Sequence, residues 1–94
     1  MKAYKLVQKG WCQDAFALDA EGKPVSSRSR KAIAWCALGA LCRVYMSNDN
    51  DRLEQAMKEL RLQLPGKHST ISSWNDAPER TQAEVVTMLR ELDL

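Results

Sequence analysis

Cys12 and His68 are the residues through which this chain could do nucleophilic chemistry, because a thiol beside an imidazole base can be drawn to the attacking thiolate. His68 is the one histidine, and Cys36 and Cys42 fall in an apolar run where a thiolate is disfavoured. The plainer reading is an inert, half-buried Cys12 after Trp11 and a surface His68 beside Pro65-Gly66. No glycine-rich phosphate loop, GxSxG elbow or HExxH helix is present. The expectation is therefore a protein that is not an enzyme, with no catalytic residue and no cofactor. A zinc site would need His68 plus cysteines scattered at 12, 36 and 42, and the last two turn to different faces of a helix. Asn48-Asp49-Asn50-Asp51 lacks the glycine and the glutamate that a calcium loop requires, so no metal is expected.

Three other groups of residues could hold a partner. Arg28-Ser29-Arg30-Lys31 is a basic tract that an apolar run follows; at a helix start, its charges would each cost about 0.3–1 kcal/mol against the helix dipole. Solvation or nearby carboxylates is the ordinary way to carry that cost. The functional way is an anion site, in which free backbone N–H groups join Arg28 and Arg30 on a phosphate or a partner's carboxylates. With Lys23 added, a nucleic-acid contact is a weaker version of the same idea, because no exposed aromatics interleave. Asp49, Asp51, Glu54 and Glu59 form the acidic counterpart, able to imitate phosphates toward a basic protein. Trp74 in the polar turn Trp74-Asn75-Asp76 is the third candidate, an aromatic anchor beside two polar side chains. The alternative there is a tryptophan covering the core, with Asn75 or Asp76 tying down the turn.

The elements that must position these residues are legible in outline. Residues 2–9 suit a short helix with Ala3, Leu6 and Val7 on one side and Gly10 at its end. Ala15-Phe16-Ala17-Leu18 alternates large and small, Asp19-Ala20-Glu21-Gly22 is turn chemistry, and Lys23-Pro24-Val25 is the return arm. That predicts a β-hairpin over about residues 14–26, with Pro24 confining its arm to an edge. Ala32 to Cys42 is apolar nearly all round and predicts a central helix over about 31–46. Asp51 and Glu54 have capping-box spacing, and Leu53, Ala56, Met57, Leu60 and Leu64 follow as an amphipathic stripe that Pro65-Gly66 ends. Residues 67–73 read as a polar loop with a short extended piece. Thr81 and Glu84 open a last helix on Val85, Val86, Leu89 and Leu92. The fold class is thus α+β, mostly α, with four helices and one hairpin.

At 94 residues the chain is expected to be a single compact domain over 1–94, built on an ordinary globular composition of 45% hydrophobic and 28% charged residues. Its net charge of +2 is too small to imply a nucleic-acid or anionic-membrane partner. The charge is uneven, however: residues 1–47 hold eight basic and three acidic side chains, and 48–94 hold six and nine. The longest apolar stretch, eleven residues, is short of the roughly 20 that span a bilayer. Three cysteines without a CxxC, and lysines at 2, 5 and 9 in place of a secretory start, predict reduced thiols and a cytoplasmic protein.

Taken together, Gly10-Trp11-Cys12-Gln13, Ala15, Trp35-Cys36-Ala37-Leu38-Gly39-Ala40, Trp74-Asn75-Asp76 and Thr81-Gln82-Ala83-Glu84-Val85 resemble a family of small uncharacterised proteins found mainly in bacteriophages, prophages and bacteria. The resemblance spans roughly Lys9 to Leu92, with Asp14 where a small residue such as glycine would stand. It implies a compact cytoplasmic domain with no activity to carry over, and a structural use for the shared residues. By association it suggests a phage accessory or anti-defence factor, such as an anti-CRISPR inhibitor of a host complex. The expected partner is a protein, without membrane, bound by a monomer or homodimer. Expected contacts are Arg28, Ser29, Arg30, Lys31, Asp49, Asp51, Glu54, Glu59, Trp74, Asn75 and Asp76.

Overall fold

Leu41, Leu60, Leu89, Val7 and Val85 lose essentially all contact with solvent, and they come from four helices spread along the whole sequence. The computed structural model describes residues 1–46, 51–66 and 68–94. Among them are the helices α1 (Ala3–Lys9), α2 (Ala37–Tyr45), α3 (Asp51–Leu62), α4 (Ile71–Asn75) and α5 (Gln82–Glu91), with three two-residue strands, β1 (Ala17–Leu18), β2 (Pro24–Val25) and β3 (Ala34–Trp35). The fold is α+β and mostly helical. Helix α1 packs on α2 and α5, and α3 closes the other side of α2.

The hairpin forms as its residues dictate. Asp19 Oδ1 accepts from the N–H groups of Glu21 and Lys23 at 2.9 Å each, which folds the turn and sets Ala17 opposite Val25. Strand order is β2-β1-β3, so Pro24, which has no N–H to donate, does lie on an edge strand.

The central helix is shorter than the apolar run predicts. It begins at Ala37, and the preceding Ala34–Trp35 is the third strand, antiparallel to β1 with Ala17 opposite Trp35. A short apolar run is consistent with a buried strand as well as a helix, and here tertiary pairing decides. Ile33 N–H donates to Leu18 O (2.9 Å), Cys36 N–H to Phe16 O (3.2 Å) and Trp35 N–H to Gly10 O (3.0 Å). Cys36 is therefore no interior helical residue but the N-cap, its Sγ accepting from Gly39 N–H at 3.2 Å. Gly10 has an extended backbone rather than a left-handed one; its lack of a side chain matters because a Cβ would overlap the backbone of Ile33 and Ala34.

Two further boundaries differ. Asp51 is the first residue of α3 rather than its cap. Residues 71–75 are helical where a loop is predicted, because Thr70 Oγ1 accepts from Ser73 N–H at 3.0 Å and starts a turn that an apolar count is too short to show. The last helix carries its capping box in full, with Thr81 and Glu84 each accepting from the other's backbone. Among the described residues no helix is long and apolar enough to cross a membrane.

Candidate functional site

Asn75, at the end of α4, is fully buried, and a buried amide must find partners for both its oxygen and its nitrogen. Its Oδ1 accepts from the Trp11 indole N–H at 2.8 Å and from Ala37 N–H at 3.0 Å, while its Nδ2 donates to Cys12 O at 3.1 Å and Asp76 Oδ1 at 2.9 Å. One side chain thus ties the segment after α1, the first turn of α2 and the end of α4. Ala37 N–H is one of the donors that a helix start leaves free, so the amide also completes the α2 cap.

The same joint is reinforced from both flanks. Gln13 Nε2 donates to Asn75 O and Ala77 O, both at 3.0 Å, and Asp14 N–H donates to Asp76 Oδ1 at 3.0 Å. Asp14 reaches that position with φ 66°, a left-handed backbone that glycine adopts most freely and aspartate tolerates better than most residues. Behind the joint, the Trp11-Cys12 and Trp35-Cys36 dipeptides run side by side, with Trp11 bridged in parallel to Trp35 and Cys12 N–H donating to Trp35 O at 3.3 Å. At Gly39 a Cβ would strike the Phe16 carbonyl, so α2 starts directly against the hairpin.

These surroundings disfavour the thiolate form of Cys12. Cys12 is buried, and burial foremost, then the neighbouring Cys36 and the Asp76 carboxylate, pushes its thiol up to about 11. Burial also raises Cys36 and Cys42. His68 is partnered with a residue of α4, its Nδ1 lying 3.2 Å from Ser73 Oγ, whereas the Cys12 thiol donates to Ala15 O at 3.5 Å. Among the described residues no group of three or more metal-ligating side chains gathers.

The expected contact residues do not form one surface. The basic tract sits not at the start of α2 but at its other end: Arg28 Nη1 donates to the carbonyl of Met46, the C-cap of α2, at 3.2 Å. Its charge therefore complements the helix dipole instead of opposing it. Ser29 O accepts from Arg43 Nη1 at 3.0 Å, and Arg30 and Lys31 are exposed. On α3, Asp51 and Glu54 are exposed and Glu59 is half-buried, but Arg52, Lys58 and Arg61 interleave with them, so the helix is not an acidic face. Asp49 lies outside the described residues.

Trp74 and Asn75 are interior, which corrects their assignment as partner contacts. Trp74 is 3% exposed, and the Arg80 guanidinium lies 4.6 Å from the centre of its ring while Arg80 Nε donates to Trp74 O at 2.8 Å. Asp76 is half-exposed and opens onto a groove of about 750 Å³ between the hairpin and α4. Asp14, Ala15, Phe16, Pro24, Val25, Ser26 and Ser72 complete its lining. Phe16, the only phenylalanine of the chain, is 55% exposed there, whereas Ala17 beside it is wholly buried. Of the groove residues, Asp76 alone stands among the expected contacts. The large-small alternation of residues 15–18 holds the signal for Phe16, since Ala17 fills the inner face and leaves the large side chain outside.

The family model that matches this chain, described as a family of unknown function (DUF6197), covers residues 3–92. No curated protein and no solved structure matches it.

Proposed function

We propose, from the premise that the chain belongs to the family of unknown function DUF6197, that it is a binding protein without a reaction of its own. Its recognition face in this reading is the groove between the hairpin and α4. The observation that carries it is the exposed Phe16 in a concave, mostly apolar lining that the Asn75 network holds in place. A preformed concavity with an aromatic anchor loses little ordering entropy on binding. The burial of Cys12 and its raised thiol support a non-enzymatic role.

A phage or prophage inhibitor of a host defence complex, such as an anti-CRISPR, is the finer form of the proposal, and family resemblance is its only support. The test is capture from a bacterial lysate treated with nuclease, run in parallel with wild type, Phe16→Ser and Glu54→Lys. A protein held by wild type and Glu54→Lys and lost with Phe16→Ser is the expected result. Retention by Phe16→Ser with loss in Glu54→Lys would move the recognition face to α3 and end the proposal.

A further inference from the structure

The geometry points to a basic peptide segment as the occupant of this groove, with an arginine or lysine set against Asp14 and Asp76 and an apolar neighbour on Phe16. The inference rests on the groove being the recognition face and adds the chemistry of what it recognises.

Charge is the first argument. The chain carries a net +2, yet the groove lining holds two carboxylates and no cation. A phosphate-bearing partner would be repelled there and a cationic one drawn in. Of the two carboxylates, that of Asp76 is also fixed in advance. Asp76 Oδ1 is held by the N–H groups of Asn75 Nδ2 and Asp14, at 2.9 and 3.0 Å, and the backbone of Asp14 is locked at φ 66° by the second of these bonds. Acceptors that need no rearrangement favour a charge-assisted hydrogen bond.

The apolar part of the lining supplies the second argument. Ala15, Phe16, Pro24 and Val25 offer a surface for the methylene stem of a long cation and for a residue beside it. Phe16 also presents an aromatic ring to a guanidinium or ammonium group. Backbone pairing is not the mode of recognition, because β2 is two residues long and Pro24 has no N–H for an added strand. Specificity then lies in side chains entering the groove.

The test is a titration of 15N-labelled protein, followed by amide shifts, with three capped pentapeptides: Gly-Leu-Arg-Leu-Gly and its Gln and Glu counterparts. The arginine peptide is expected to shift the amides of Ala15, Phe16, Val25, Ser26 and Ser72 saturably, with an affinity about tenfold above that of the glutamine peptide. Asp14→Asn keeps a residue that tolerates the left-handed backbone and is expected to weaken the arginine peptide about three- to tenfold while leaving the glutamine peptide unchanged. Equal affinities for the three peptides at these amides would overturn the charge inference and leave the groove as a recognition face. If no peptide moves these amides, or the arginine peptide moves only others, both the inference and the reading beneath it fall.

Discussion

The joint around Asn75 and the helix α3 solve the same problem, holding chain segments together, by opposite means. Helix α3 turns Leu53, Ala56 and Leu60 inward and leaves a surface of mixed charges outside. Its hold is hydrophobic area, which is additive, direction-free and repeated every three or four residues. The Asn75 joint concentrates four hydrogen bonds in one side chain, and each depends on a partner far along the chain or on the geometry of a single turn. Area can be lost in pieces; a buried polar joint fails as a unit.

That contrast is broken most forcefully at Asn75. Asn75→Ala removes a fully buried amide and takes the partner from the part-buried Trp11 indole N–H and from the buried Ala37 N–H and Cys12 O, and is expected to cost about 4 kcal/mol. A chain of this size has roughly 5–14 kcal/mol in total, so denaturant unfolding should show the midpoint collapse. Leu60→Ala, in the fully buried stripe of α3, is expected to cost about 3 kcal/mol with the groove left intact. A loss at Asn75 smaller than at Leu60 would mean that the joint is ornamental.

The thiol behind the joint gives a pH signature of middle size. Its pKa lies near 9 when unfolded and about 11 in the fold, so the folded state retains its proton where the unfolded state has lost it. The Cys12 contribution is therefore present in full below pH 9 and is lost as pH rises toward 11. Wild type should lose stability over that window and Cys12→Ala should lose less. Parallel curves would show that burial does not hold the thiol neutral. The smallest effect belongs to the outer surface of α3: Glu54→Gln should shift stability by no more than about 0.5 kcal/mol, as measured by the same denaturant curves.

The two regions also explain what the sequence discloses. Helix α3, the first helix, the capping box at Thr81 and the hairpin are written in periodicity and short-range turn chemistry, and each forms in the expected segment, with the ends of α3 displaced by a residue or two. The start of α2 is hidden, because Ala34-Trp35 is apolar on either reading and only pairing with β1 makes it a strand. Residues 71–75 are hidden because one threonine cap, rather than a stripe, starts that turn. The site divides in the same way. Asp76 stands out as a polar residue in a turn, but its neighbours Asp14, Phe16 and Pro24 are brought to it by contacts more than forty residues away in sequence. Arg28 is misread for the same reason, since its role depends on which end of α2 it meets.

Hydrogen exchange at the Trp11 indole N–H and the Ala37 amide is the most direct measure of whether one buried side chain holds the frame of the groove. Both groups donate to Asn75 Oδ1, and both should exchange only with global unfolding, at the rate of the slowest amides of α5. Exchange of either group as fast as the exposed hairpin turn at Glu21 would contradict the account, because the joint would then open without the fold.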